Sequence, residues 1–296
     1  MSNGTVDKES LAVVISTYNR PAFLALVLDG YRQQTDKQFS VYIADDGSRP
    51  ETTALIEKIS AYFPVPIHHI WQKDDGFRKS RIHNKTIRRI TESHTLLTDG
   101  DCIPLPGLVA AHRRFAIHHP AIHHPASSHP AAPSTAPLAK ANDYFISGSR
   151  ILLSKSWTEK LCKCSTIHTD KPILWWIKKR LSNNINRLLP LILSTRLAAP
   201  NTQLEGIRGC HLSCPTAALL RINGFDESFE GWGREDSDLT ARLLHAGLKR
   251  RNLRGQPVLH LWHPECSRQQ LGANDIKLQA CLDEHRIEAV SGLKQL

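Results

Sequence analysis

The chain has 296 residues, with 38 Lys plus Arg against 28 Asp plus Glu, a formal charge of +10 and 16 His besides. With 41% hydrophobic and 22% charged residues it can bury a sizeable core, which excludes overall disorder. Apolar stretches such as Leu188–Thr195, eight residues between two arginines, fall far short of the ~20 a membrane span needs. Asp7 and Glu9 leave no apolar core for a signal peptide at the start, and an odd seven cysteines fit a reducing cytoplasm. A basic balance of this size leaves nucleic acid, an anionic membrane or a phosphorylated substrate as partners.

Taken in chain order, Leu11–Ile15 is a continuous apolar run, as in a strand buried on both faces. Pro21 opens a helix whose Leu24, Val27, Leu28 and Tyr31 form one stripe. Phe39, Val41 and Ile43 alternate as a second strand, and Leu55, Ile56, Ile59 and Phe63 mark a helix after Pro50. Ile67–Trp71 reads as a third strand, Lys79–Ile90 as a basic helix and Thr95–Thr98 as a fourth strand. This alternation predicts an α/β fold with a mostly parallel sheet and right-handed crossovers.

The pattern breaks at 117–131, where Ile-His-His-Pro-Ala repeats with decay inside a 116–140 insertion rich in His, Pro and Ala. Such tracts can bind metal, but proline after each His pair prevents helical ligand spacing; a surface loop is expected. Tyr144–Leu153 reads as one strand. Residues 171–204 carry six Lys or Arg and no acid, and Leu174, Ile177, Leu181, Ile185, Leu188 and Ile192 step at helical spacing beside Trp175 and Trp176. That segment predicts an amphipathic helix, ended or kinked by Pro190, lying either on an anionic membrane or on the core. The expected division is a 1–115 half, the insertion, and a 141–296 half.

Three acidic clusters carry the chemistry. Asp45-Asp46-Gly47-Ser48 follows the second strand and Asp99-Gly100-Asp101 the fourth, at the carboxyl edge where open α/β sheets bind ligands. Carboxylates gathered there repel unless a cation or sugar hydroxyl takes up the charge. In the third cluster Gly231-Trp232-Gly233 precedes Arg234-Glu235-Asp236-Ser237-Asp238, with Glu235 and Asp236 near the start of a helix marked by Leu239, Leu243 and Leu244. Helix capping accounts for one or two of these acids, but not for the Gly-Trp-Gly platform in front.

Val14-Ile-Ser-Thr-Tyr-Asn-Arg-Pro21, Ala44-Asp-Asp-Gly-Ser48, Asp99-Gly-Asp101 and Gly231-Trp-Gly-Arg-Glu-Asp236 together resemble, in order and spacing, the family 2 glycosyltransferases of the GT-A fold. The last motif resembles the Trp-Gly-x-Glu-Asp region of β-1,4-galactosyltransferases and bacterial chondroitin-type polymerases, with Arg234 where the former often have glycine. The resemblance implies a Rossmann-like sheet with helices on both faces and a single domain, with a nucleotide-binding half and an acceptor-binding half. It implies that Thr17, Tyr18, Asn19 and Arg20 border the nucleotide, that Asp45 or Asp46 bonds the base, and that Asp75, Arg78 and Asn84 close over base and ribose. Asp99 and Gly100 would face ribose or metal, and Asp101 would ligate Mn²⁺ or Mg²⁺ together with a late histidine, His260 in preference to His263. Asp236 matches the general base, Glu235 an acceptor-positioning group, and Gly231, Trp232 and Gly233 an acceptor platform.

The implied activity is metal-dependent, inverting transfer of a sugar from a UDP-sugar donor to a glycan or glycolipid, as in bacterial lipopolysaccharide core or surface polysaccharide synthesis, in the cytoplasm or at the inner membrane face. A chondroitin-type or capsule polymerase subunit is the alternative. A nucleic-acid-binding protein is disfavoured, because no zinc-finger, aromatic RNA-binding or helix-turn-helix signature is legible. Cys210-x-x-x-Cys214 beside His211 lacks the second cysteine pair of a zinc site.

Overall fold

The computed structural model describes residues 10–117, 144–164, 166–265 and 267–295; the His-Pro repeat and the start of the chain, with Asp7 and Glu9, lie outside them. Strands β1 (Leu11–Thr17), β2 (Phe39–Asp45), β3 (Ile67–Trp71) and β4 (His94–Asp99) are joined by helices α1 (Pro21–Arg32), α2 (Pro50–Ser60) and α3 (Lys79–Ile87). They lie parallel in the order β3-β2-β1-β4, as expected. Both α1 and α2 start with proline in the first turn, where the missing N–H costs nothing.

After β5 (Cys102–Ile103) and α4 (Leu108–Ile117) the chain resumes in β6 (Tyr144–Ser147) and β7 (Arg150–Leu152). The single strand expected over 144–153 is therefore two, in different sheets. The break falls at Gly148, where a Cβ would lie 2.1 Å from the His211 ring; only glycine lets the chain cross there. Helices α5 (Lys155–Cys164), α6 (Ile173–Leu181) and α7 (Leu189–Ile192), strands β8 (Arg196–Leu197) and β9 (His211–Pro215), and helices α8 (Thr216–Arg221) and α9 (Glu235–His245) follow. Strands β10 (Lys249–Arg254) and β11 (Val258–His260) and helix α10 (Leu271–Asp283) complete it. The main sheet runs β3-β2-β1-β4-β9-β6-β10-β8, and β5-β11-β7 forms a second. Strand β9 is antiparallel to β4 and β6, so the sheet is mixed beyond β4.

Alternate residues of β1 serve two cores, as a two-period strand requires. Leu11, Val13 and Ile15 pack with Val41, Ile43 and the α1 stripe; Ala12 and Val14 pack with Tyr42, Ala44, Ile82, Phe225, Leu239 and Leu243. Register pairs Thr17 with Asp45 and Ser16 with Asp99, so the acidic clusters of β2 and β4 flank the end of β1 at one sheet edge. The helix expected through 174–192 ends instead at Leu181: Ser182 caps it, Asn183 takes φ 55°, and a short α7 begins beyond Leu188. Among the described residues no helix is long and apolar enough to cross a membrane.

Candidate active site

Three loops meet at the β1 and β2 ends. The Asn19 backbone N–H donates to Ser48 Oγ at 2.8 Å, and the Asn19 side-chain oxygen accepts from Arg49 N at 2.9 Å. Asp45 is fully buried, capping the turn by accepting from Ser48 N at 2.8 Å, with His69 at 2.9 Å on its other oxygen. Asp46 accepts from Gln72 Nε2 at 2.6 Å and from Arg78 N at 2.8 Å, fastening the 72–78 loop; burial pushes its carboxyl up to about 6 despite those bonds. Gly47, at φ 93°, lets that loop approach so closely that a Cβ would sit 2.5 Å from Asp74 Cα. Tyr18 is half exposed and donates to Asp74 Oδ2 at 2.8 Å. Asp75 is exposed, and Arg78 bridges it to Glu230 at 3.4 and 2.5 Å. Asn84 is fully buried, and its amide brackets Phe225, accepting from the N–H at 2.8 Å and donating to the carbonyl at 2.9 Å. Its place is the wall behind the loops.

At the β4 end the two aspartates part ways. Gly100 presses on β1, its N–H donating to the Ser16 carbonyl at 2.7 Å, with 2.9 Å left between that oxygen and any Cβ. Asp99 turns to Ser16 Oγ at 2.7 Å and Lys79 Nζ at 2.9 Å. Lys79 also stands 3.7 Å from Glu235. Burial opposes all three charges, but the pairing wins for Asp99, whose carboxyl is drawn down to about 2, and for Lys79, held above the usual lysine range. Glu235 is nearly buried with one oxygen unpartnered, and burial raises its pKa although Lys79 opposes the rise.

Asp101 faces the other way, toward the end of β11. His263 Nε2 lies 3.0 Å from its Oδ2 and His260 Nε2 3.7 Å from its Oδ1. Both histidines, rather than His260 alone, therefore flank the carboxylate, and the three could hold a metal ion. His263 Nδ1 lies 2.7 Å from the Pro264 carbonyl, so it carries a proton and donates. In the neutral ring the Nε2 lone pair then points at a carboxylate oxygen, an arrangement that needs a cation between them, either a proton or a metal. Accordingly the Asp101 contact, with burial opposing, raises the His263 pKa. A second ring nitrogen held by a backbone carbonyl is the usual support of a metal-ligating histidine, and one carboxylate with two imidazoles suits Mn²⁺ or another borderline divalent ion. The residues fit the group.

Helix α9 opens on Arg234, at φ 76°, and Glu235, Asp236 and Asp238 fill its first turn, where the helix dipole favours acids. Asp236 is half-buried and accepts from Gly209 N at 2.8 Å. Asp238 is structural: it pairs with the fully buried Arg242, whose guanidinium also donates to the carbonyls of Ile222 and Gly224 at 2.8 Å. Gly231 and Gly233 have φ 70° and 108° and leave Trp232 exposed, with Arg268 over its ring at 5.6 Å.

Sequence reasoning missed Lys79. The signal was present, since a lysine at a helix amino end opposes the dipole and needs an acidic partner to stay there. Cys210, weighed in the sequence only with Cys214, lies instead with Cys102 beside Asp99; both Cys210 and Cys214 are buried, in separate cores.

A Rossmann-like sheet with acidic loops at its carboxyl edge and an acid-rich helix start facing them is the arrangement of GT-A glycosyltransferases. Residues 12–158 match the family described as glycosyl transferase family 2, and residues 190–264 match the N-terminal domain of galactosyltransferase. The chain belongs to the family 2 glycosyltransferases. It is similar to the chondroitin synthase of Escherichia coli, 24% identical over 85% of this chain and 34% of that one, so it spans about a third of that relative's length. The S. aureus TarS structure in complex with UDP superposes with a TM-score of 0.59 at 12% identity, covering 96% of this chain and 68% of that one. A mannosyltransferase of Pyrobaculum calidifontis in complex with GDP-Man and Mn²⁺ gives 0.53 at 14% identity, over 85% and 56%.

Proposed function

We propose that the chain transfers a sugar from a UDP-sugar to a glycan or glycolipid acceptor, with inversion at the anomeric carbon. The observation that carries this reading is the Asp101–His260–His263 donor set just beyond β4, where Lys79 joins the nearby Asp99 to Glu235 at the start of α9. The nucleotide would lie against Thr17–Arg20, Asp45, Asp46 and the 75–78 loop; TarS, of the same fold, is described in complex with UDP and with UDP-GlcNAc.

Asp101, His260 and His263 would hold Mn²⁺ or Mg²⁺, which when bound offsets the charge growing on the departing diphosphate. Asp236 accepts the proton of the acceptor hydroxyl; the oxygen bonds to the anomeric carbon as that carbon's bond to the diphosphate breaks, and the configuration inverts. Glu235, fixed beside Lys79, orients the acceptor, and the exposed face of Trp232 packs on a sugar ring. Lys79 adds positive charge beside Asp99, where negative charge accumulates.

A bacterial surface glycan such as lipopolysaccharide core is the proposed acceptor, and the cytoplasm, peripheral to the inner membrane face, the proposed location. A polysaccharide polymerase subunit is the second reading, favoured by the likeness to chondroitin synthase. The test is nucleotide release from UDP-, GDP- and dTDP-sugars with Mn²⁺, with Mg²⁺ or with chelator, in the presence of candidate acceptors. Metal-dependent UDP release from one donor, lost in Asp236→Asn, is expected. Release from GDP- or dTDP-sugars alone, or full turnover in chelator, would overturn the donor or the metal assignment. Repeated addition to one acceptor chain would select the polymerase.

A further inference from the structure

Helix α6 is apolar on two opposite faces. Its aromatic face packs inward: Trp176 is buried, and its ring meets Trp175 and Trp157 edge-on at centroid separations of 4.9 and 6.3 Å. Lys179 lies on this side as well, over the Trp157 and Trp175 rings at 4.9 and 4.8 Å. The tryptophans are thus core anchors. At about 100° per residue, the opposite face carries Ile173, Leu174, Ile177 and Leu181, with Lys178 on one flank and Arg180 on the other. Leu174 and Leu181 are 68% and 78% exposed, and Leu189 and Ile192 of α7 are 60% and 54% exposed. A helix on a soluble protein turns charge to water; this one turns out aliphatic side chains and keeps its cations beside them.

The platform is tied to the small sheet that ends in His260. Leu153 bridges Ile185, Asn186 Oδ1 accepts from Leu152 N at 2.9 Å, and Arg187 Nε donates to the Arg150 carbonyl at 3.0 Å. Arg150 and Leu152 pair with Val258 and His260.

We infer that α6 and α7 seat the protein on an anionic lipid bilayer, with Leu174, Leu181, Leu189 and Ile192 entering the headgroup boundary and Lys171, Lys178 and Arg180 meeting lipid phosphates. Charge selects this occupant. Residues 171–204 contain no acid, so an anionic surface meets cations throughout, whereas a second copy docked about a two-fold axis would set Lys178 and Arg180 against their own likes. The inference deepens, and rests on, the peripheral location proposed above; it does not depend on the transfer chemistry.

The test is co-sedimentation of the full chain with phosphatidylglycerol–phosphatidylcholine vesicles and with phosphatidylcholine alone. Nucleotide release is measured without vesicles on the same samples. Wild type is expected to bind only the anionic vesicles and to come off in high salt. Each Lys or Arg at such a surface is worth about fivefold in partitioning, so Lys178→Glu with Arg180→Glu should weaken binding at least ~30-fold. Leu174→Ser with Leu181→Ser, at exposed sites that leave folding intact, should also release the protein. Undiminished binding by both variants, or no wild-type binding, overturns the surface even if nucleotide release persists. Vesicle binding without nucleotide release under any condition counts against the transferase reading instead. A concentration-dependent dimer that the leucine variant dissolves, without vesicle binding, assigns the face to a second copy and overturns the lipid.

Discussion

Replacing Lys79 with Met removes the cation between Asp99 and Glu235 while keeping most of the side chain's bulk. The ammonium is 2.9 Å from one carboxylate and 3.7 Å from the other. At an effective dielectric near 20 these are attractions of roughly 6 and 4 kcal/mol, much of it spent on desolvating a lysine whose side chain is only 19% exposed. What the substitution exposes is the uncompensated remainder: Asp99 keeps Ser16 but loses its counter-charge, and Glu235, already short of a partner for one oxygen, is left beside another acid. Removing one member of a buried pair costs about 3–5 kcal/mol; partial solvent contact at Asp99 favours the lower end, about 3 kcal/mol. For a chain this long that corresponds to a fall in Tm of roughly 6 °C, read by circular dichroism at neutral pH and low salt. Asp99→Asn alone should also destabilise, and the double variant should recover about 2 kcal/mol of the summed loss, because both charges leave together. Additivity of the two within ~0.5 kcal/mol, or an unchanged Tm for Lys79→Met, would refute the bridge.

Two further outcomes follow. His260→Ala and His263→Ala should each weaken Mn²⁺ binding at least ~10-fold, measured by titration calorimetry or by the spin-resonance signal of free Mn²⁺; a variant that binds as wild type removes that histidine from the site. The second concerns acid. Burial lowers the pKa of His83 to about 3 and of His94 and His211 to about 4. The unfolded chain takes up these protons near 6.5 and the folded chain does not, so stability is fully present above 6.5 and is lost as pH falls toward 4. Each histidine contributes up to ~1.4 kcal/mol per pH unit; Tm should drop steeply between pH 6.5 and 5, and a flat profile there would contradict their neutral burial.

The first half of the fold was legible because its strands are buried on both faces and its helices begin at proline. Leu11–Ile15 and Phe39–Ile43 could be nothing else at that length, and the acids after them fell where the sheet ends. The second half resisted for identifiable reasons. A stripe from Leu174 to Ile192 keeps helical spacing, yet spacing does not report that Asn183 adopts a left-handed conformation, nor that the tryptophans rather than the leucines face inward. Tyr144–Leu153 reads as one strand because nothing local reveals a histidine ring waiting at Gly148. Spacing alone leaves open which acids of the third cluster are structural; the buried pairing of Asp238 with Arg242, one helical turn on, settles it for that residue. The sequence reading puts His260 before His263, but both end beside Asp101, one at the last residue of β11 and one just beyond it.

The distribution of partners among the site's carboxylates bears on which of them can take a proton. Asp99 is claimed by Lys79 and drawn down to about 2, which makes it a poor proton acceptor near neutrality. Asp45 is spent on the 45–48 turn and His69, and Asp46 on Gln72 and the Arg78 N–H. Asp101 is turned toward two histidines, away from the α9 start. Glu235 lies within reach of Lys79 and is nearly buried, so a proton taken there would have to leave through the protein. Asp236 forms no ion pair among the described residues, keeps one short hydrogen bond from Gly209 N and is partly open to solvent. It can therefore both receive a hydroxyl proton and pass it to water. That contrast between two neighbours on the same helical turn, one clamped by a lysine and one left open, is what favours Asp236 as the base and Glu235 as the group that positions the acceptor.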